Sequence, residues 1–248
     1  LMLSYKESQS GQILEQGITE AGSTASWIAA GTSYATRGVP MVPFYTFYSM
    51  FGFQRVGDLL WGASDSRARG FLLGATSGRT TLLGEGLQHQ DGHSHVLASV
   101  VPACEAYDPA FAYEVAGIIK HGLERMYVDN DDVYYYLTLY NEAYAQPPKP
   151  EGSDQGIIDG LYKWSPAPTG TRYRATVLFS GPAHSAAREA QTILADDYGV
   201  GAELWSATSY KKLREEAMSV DRWNSLHPSE GPRVPFVTRQ LEGTLGPV

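Results

Sequence analysis

The sequence predicts an α/β protein built on parallel sheets, and three observations carry that prediction. Short apolar runs closed by glycine or proline alternate with longer stretches of helical period. The short runs are apolar on both faces, as strands covered by helices on both sides require. The same strand–helix grammar returns in the second half of the chain, after a proline-rich break.

Taken in order, Gln12 to Tyr34 is rich in Ala, Leu, Ile and Trp and reads as a largely buried helix. Met41 to Tyr48 reads as a short buried strand, Gln54 to Arg69 as a helix and Phe71 to Ala75 as a second strand. Residues 76–107 hold many Gly, Ser and His without a sustained period, which predicts a long ordered loop of functional use. Asp108-Pro109 reads as an N-cap followed by proline at the first helical position, opening a helix to about Tyr127. Val133 to Tyr140 is the next strand. Prolines 147, 148 and 150 with Gly152 and Ser153 then break the pattern, and Pro166 and Pro168 carry that linker character to about Gly170. Beyond it come a strand at Ala175–Phe179, a helix from His184 to Tyr198 ending at Gly199, a strand at Ala202–Ser206 and a helix from Tyr210 to Met218. The expected organisation is therefore 1–150, a linker at 151–169, and 170–248.

Composition narrows the function classes. In 248 residues, 19 Lys and Arg stand against 27 Asp and Glu, a formal charge of -8. A nucleic-acid partner or an anionic membrane would ask for the opposite sign. The single cysteine, Cys104, excludes an internal disulfide and a Cys-rich zinc site, and nothing beside it lowers its pKa. No apolar run reaches the roughly 18–20 residues that span a bilayer, and no signal peptide is visible, so a cytoplasmic globular protein is expected. Both ends read as cut, Leu1-Met-Leu3 lacking any start signal and Gln240–Val248 closing no element.

Common nucleotide, metalloprotease and hydrolase motifs are absent: there is no G-x-G-x-x-G, G-x-x-x-x-G-K-[ST], H-E-x-x-H or G-x-S-x-G. What remains is the segment Gly84-Glu-Gly-Leu-Gln-His89-Gln-Asp-Gly-His93-Ser-His95. Its three histidines suit metal ligation, a polar surface loop, or contact with a substrate that needs a proton or a hydrogen bond. Gly92 between them disfavours helical i,i+4 ligand geometry. The aromatic run Phe44-Tyr-Thr-Phe-Tyr48-Ser-Met-Phe51-Gly-Phe53 is core filling for most of its rings. Its last rings lie where the strand ends, the place where open α/β sheets bind ligands. Glu20 stands in a small, apolar stretch, either as a solvated helix charge or as a buried carboxyl able to hold a heterocycle nitrogen. Arg55, Asp58, Asp65, Arg67 and Arg69 read as solvated helix charges and ion pairs.

Several segments together resemble the homodimeric bacterial pyruvate dehydrogenase family. They are Gln12-Ile-Leu-Glu-Gln-Gly-Ile-Thr-Glu20, Pro43 to Arg55, Thr76-Ser-Gly-Arg-Thr-Thr-Leu, Gly84 to His95, and Asp221-Arg-Trp-Asn-Ser-Leu-His-Pro228. The resemblance implies a parallel-sheet thiamine diphosphate-binding (transketolase-like) fold, truncated at both ends. Residues 1–150 would be the later part of the pyrimidine-binding middle domain, and residues 170–248 the start of the carboxyl-terminal domain. It implies oxidative decarboxylation of pyruvate, a homodimer, and delivery of acetyl to the lipoyl group of the dihydrolipoyl acetyltransferase core. It implies thiamine diphosphate with Mg2+, whose ligands belong to an amino-terminal domain outside this sequence, so no metal site is expected here. Glu20 matches the glutamate that hydrogen-bonds N1′ of the aminopyrimidine, Ile18 the apolar prop of the bent cofactor, and Phe51 the ring against the pyrimidine. Tyr48 and His89 match residues facing the substrate carboxylate or the cofactor adduct; His93 and His95 receive no role. A 2-oxoglutarate dehydrogenase and a transketolase are the rivals within this chemistry, and a non-catalytic scaffold the rival outside it. The chain by itself is expected to be inactive.

Overall fold

A computed structural model describes residues 6–78, 86–244 and 246–248. Leu1–Leu3 and, within the motifs above, residues 79–85 lie outside the described residues.

The first half begins with an extended, exposed segment. Gly17 takes a left-handed backbone (φ 67°) there, and Thr19 then caps helix α1 (Glu20–Gly31), its hydroxyl accepting from the Gly22 amide. The expected buried helix from Gln12 thus starts eight residues later, and Ile13, Leu14 and Ile18 stand in solvent. A short helix α2 (Ser33–Thr36) follows, then strand β1 (Phe44–Tyr48), a 3-10 turn at Ser49–Phe51, helix α3 (Phe53–Asp65) and strand β2 (Phe71–Ala75). β1 is an edge strand, with Phe47 buried but Phe44 and Tyr48 about half exposed. This corrects the expectation of a buried strand: an edge strand is covered on fewer sides.

Residues 76–107 are not one loop. They hold a 3-10 turn at Leu87–His89, helix α4 (Ser94–Ala98) and strand β3 (Cys104–Tyr107). Helix α5 (Ala112–Tyr127) starts four residues after Asp108, because its cap comes from inside the helix: the Glu114 carboxylate accepts from the amides of Ala110 and Phe111. Strand β4 (Tyr134–Thr138) completes an all-parallel sheet of order β1-β2-β4-β3. Tyr134, Tyr135 and Tyr136 are all fully buried, since β4 is central. Tyr134 and Tyr136 face Trp27, Phe53 and Leu60 on one side, and Tyr135 faces Phe71, Ile118 and Met126 on the other.

The expected linker is structured. Helix α6 (Asp154–Asp159), a turn through Gly160 (φ 105°) and strand β5 (Tyr162–Ser165) fill most of 151–169, and Ile157, Leu161 and Tyr162 are buried. The remaining elements are β6 (Tyr173–Phe179), α7 (His184–Tyr198), β7 (Val200–Ser206), α8 (Tyr210–Leu226) and α9 (Phe236–Leu241). In the second sheet, of order β5-β7-β6, β6 and β7 run parallel and β5 is antiparallel to β7, so that sheet is mixed rather than parallel.

The two halves are joined by buried polar bonds. Ser209 Oγ donates to Ala106 O (2.6 Å), and Lys211 Nζ to Val101 O (3.1 Å) and Cys104 O (2.5 Å). Glu114, fully buried, accepts from Tyr162 Oη (2.6 Å) and Ser206 Oγ (2.7 Å) as well as from its two cap amides. Burial pushes its carboxyl above the ordinary range, and these hydrogen bonds offset that only in part.

Candidate active-site rim

The carboxyl ends of the parallel strands form one rim of the first sheet, and four predicted residues gather on or beside it. Tyr48 is the last residue of β1, and Phe51 ends the 3-10 turn that follows. His89 ends the 3-10 turn after β2. Its ring lies 5.4 Å from that of Phe51 and 5.6 Å from that of Tyr48, edge to face in both cases, while Tyr48 and Phe51 are 6.0 Å apart. Three rings therefore form a triangle of ordinary aromatic contacts.

Glu20 joins this triangle through a residue that sequence reasoning placed among solvated charges. Arg55, in the first turn of α3, donates from Nη1 to Glu20 Oε1 at 2.7 Å, and its guanidinium carbon lies 4.0 Å from the centre of the Phe51 ring. α1 packs against α3, which brings the starts of both helices to one place. Glu20 also stands at the amino end of a 12-residue helix, where the peptide dipoles favour its charge. The contact chain Glu20–Arg55–Phe51–His89–Tyr48 is continuous.

Ile18 is 99% exposed, two residues before the helix that presents Glu20. It makes no part of the core, and its apolar side chain is available to an apolar or planar partner.

The three histidines do not share a centre. His93 is exposed, His89 packs on Phe51 and Tyr48, and His95 Nε2 is 2.8 Å from Thr138 Oγ1. Among the described residues no group of three or more His, Cys, Asp or Glu is placed to hold a metal ion. Cys104 is fully buried, and burial pushes its thiol up to about 12.

Asp91 supports the loop that carries His89. Its Oδ1 accepts from the amides of His93 and Ser94 (both 3.0 Å), and Oδ2 accepts from Ser94 Oγ. Burial alone would raise the Asp91 carboxyl, but the bonds from the Ser94 hydroxyl and the two amides outweigh it and hold the carboxyl below its ordinary range. Arg55, Asp91 and Thr138 are the rim residues that sequence reasoning missed. Arg55 closes the quoted motif Pro43–Arg55, and Asp91 caps the amides two and three residues after it, so both had a local signal; the partners of Thr138 are set by tertiary packing. Away from the rim, a concavity of about 380 Å³ between Phe111, Tyr144, Trp164, His184 and Arg188 contains none of the predicted residues.

Comparison with known proteins identifies the family and the fold. Residues 1–147 match the pyruvate dehydrogenase E1 component middle domain. The pyruvate dehydrogenase E1 component of Escherichia coli K12 is 54% identical over 238 residues, covering 96% of this chain and 27% of that protein. The corresponding protein of Mycobacterium tuberculosis is 53% identical over 250 residues, covering 100% of this chain and 27% of that protein. The Pseudomonas aeruginosa protein is 52% identical over 244 residues, 98% of this chain and 28% of its own. The chain thus spans just over a quarter of the length of these relatives. Among solved structures, transketolase from Campylobacter jejuni matches with a TM-score of 0.60 at 14% identity, covering 77% of this chain and 28% of that one. A split-gene transketolase matches with a TM-score of 0.54 at 17% identity over 85% of this chain and 60% of that one. These two likenesses establish a transketolase-like fold. With more than half its residues matching the middle-domain model and half its positions identical to those of relatives from several bacteria, the chain belongs to the pyruvate dehydrogenase E1 component family.

Proposed function

We propose that the chain forms the aminopyrimidine-facing and substrate-facing part of a thiamine diphosphate-dependent pyruvate dehydrogenase. That enzyme would decarboxylate pyruvate oxidatively and pass the acetyl group to the lipoyl group of a dihydrolipoyl acetyltransferase core. The observation that carries the proposal is the continuous contact chain Glu20–Arg55–Phe51–His89–Tyr48 at one rim.

The residues present fit the cofactor's aminopyrimidine. Ile18 offers an apolar side chain in the open, Phe51 a ring, and Glu20 a carboxylate of which Arg55 engages Oε1. Oε2 is the atom at which Glu20 would share a proton with the ring nitrogen, and Arg55 keeps the carboxylate in place while it does so. Thiamine diphosphate, when bound, supplies the nucleophilic carbon and the electron sink for loss of CO2. Tyr48 and His89 would orient the pyruvate carboxylate by hydrogen bonding. Residues 1–150 would then be the later part of the middle domain, and 170–248 the start of the carboxyl-terminal one. Mg2+, held by ligands of another domain, a homodimer and a cytoplasmic location belong to the same proposal. No helix among the described residues is long and apolar enough to cross a membrane.

The test uses the full-length protein carrying these residues, loaded with thiamine diphosphate and Mg2+. Dye reduction is followed with pyruvate and, in parallel, with 2-oxoglutarate. Pyruvate-dependent reduction that Glu20→Ala abolishes is the expected result. Activity with 2-oxoglutarate alone would overturn the substrate, and no activity with either would overturn the proposal.

A further inference from the structure

We infer that His95 is a positioning residue: as a hydrogen-bond donor through Nε2, it clamps the segment that carries His89 onto the carboxyl end of the central strand. Its activity readout rests on the function proposed above; its structural readout does not.

The inference follows from counting protons. Thr138, the last residue of β4, has one hydroxyl proton, and its Oγ1 lies 2.6 Å from Asp108 Oδ1. An ionised carboxylate only accepts, and the same Oδ1 also accepts from Tyr140 Oη. The other acceptor near Thr138, the carbonyl of Tyr107, is farther away at 3.4 Å. The Thr138 proton therefore points to Asp108, and Oγ1 turns a lone pair toward His95. His95 Nε2, 2.8 Å away, must carry the hydrogen. The relay has one sense: His95 donates to Thr138, and Thr138 donates to Asp108.

A second anchor stands beside the first. Tyr136 Oη donates to Ser94 Oγ at 2.9 Å, and Ser94 in turn donates to Asp91. Tyr136 and Thr138 are two residues apart on β4 and so face the same side of the sheet. Two consecutive loop residues, Ser94 and His95, are thus pinned to two consecutive same-side positions of a fully buried strand. One bond would leave the segment free to pivot; two fix its position and its rotation together. His89 lies two residues before Asp91, which closes the same segment through the amides of His93 and Ser94. The clamp ends on the second half of the molecule. Asp108 N donates to Thr208 O, and the Tyr140 ring lies so close to Gly181 that a Cβ there would overlap it.

The imidazole is required here for one N–H at the Nε2 position, and a glutamine amide can present one there. In the full-length protein, His95→Gln should keep kcat/KM for pyruvate within about threefold of the parent, whereas His95→Leu should lower it about 10- to 100-fold, the size expected when a reacting group is displaced by about an ångström. Thr138→Val should reproduce His95→Leu, and the double variant should be no worse than either single one, because both remove one relay. Affinity for thiamine diphosphate, read by fluorescence titration, should stay within about twofold. In the cofactor-free protein, amide hydrogen exchange across residues 93–97 should speed up in His95→Leu and Thr138→Val but not in His95→Gln. If His95→Gln is as damaging as His95→Leu, or if exchange is unchanged in His95→Leu, the inference is overturned. If the parent shows no pyruvate turnover, the proposed function fails, and the exchange experiment still decides the clamp.

Discussion

Two carboxylates in this chain, Glu20 and Glu114, both sit in the first turn of a helix, yet their surroundings have little in common. Glu114 is sealed in the seam between the two halves, and four donors from two strands and a loop fill its oxygens. Glu20 lies at the rim with one strong partner, a half-exposed arginine. The seam spends its polar groups on each other and has no capacity left for a ligand. Among the described residues the rim shows one partner on Glu20, Arg55 at Oε1, beside an exposed isoleucine and a half-exposed tyrosine. Saturation therefore separates polar groups that hold the fold from those that act on something else.

The largest test of that distinction is Glu114→Ala. It strands the amides of Ala110 and Phe111 and the hydroxyl of Ser206 in the interior, and leaves the Tyr162 hydroxyl with Tyr113 as its partner. A loss of about 3 kcal/mol or more of unfolding free energy is expected, read by urea denaturation; a loss under 1 kcal/mol would break the comparison. Glu20→Ala should do the opposite. Its pair with Arg55 is partly solvated, so stability should change by no more than about 1 kcal/mol, while turnover in the full-length protein should fall about 100-fold or more.

Gly181→Ala probes the seam from the other side. Gly181 has φ 49°, and a Cβ there would meet the Tyr140 ring far inside van der Waals contact. A cost of about 1–3 kcal/mol is expected from strain and overpacking, checked by thermal unfolding. The smallest effect concerns pH. Burial raises Glu105, but Lys212 (3.0 Å) and Arg125 (2.6 Å) outweigh it and bring the carboxyl below its ordinary 4.5. A lowered carboxyl stabilises the fold above its unfolded pKa, and that contribution is lost as pH falls through the folded value. Glu114 has the opposite sign: its raised carboxyl favours the fold most in acid, and that contribution fades as pH rises through its folded value. Glu105→Gln should therefore lower stability at neutral pH and flatten the acid limb below about pH 4.5, so that variant and parent converge in acid.

Legibility in the sequence followed how local the determinants are. β2 (Phe71–Ala75) and α7 (His184–Tyr198) match their expected limits, since an apolar run, or a helical period closed by Gly199, contains all the needed information. The start of α5 was not legible at Asp108, because Glu114 caps that helix from its own first turn. β3 has four residues of mixed character, and its place is set by pairing with β4 and by Glu105 meeting Arg125. α6 and β5 were hidden behind prolines, although Ile157, Leu161 and Tyr162 supply a buried face that only the assembled halves cover. At the rim, Tyr48 and Phe51 lie within one short motif, whereas His89 comes 38 residues after Phe51 in a motif of its own. The Glu20–Arg55 pair spans 35 residues and depends on how α1 packs against α3.

The seam also bears on synthesis. The carbonyl of Ala106 is met by a hydroxyl 103 residues later, and that of Val101 by an amine 110 residues later. At about 5–20 residues per second, a ribosome leaves these acceptors without their partners for about 5–20 s. Once β4 is made at Thr138, and until Ser209 follows, the β3 edge of the first sheet is complete in sequence but uncovered, an open template for another strand. The nascent chain is then most exposed to chaperones and to mispairing, and it leaves that window when Ser209 and Lys211 emerge.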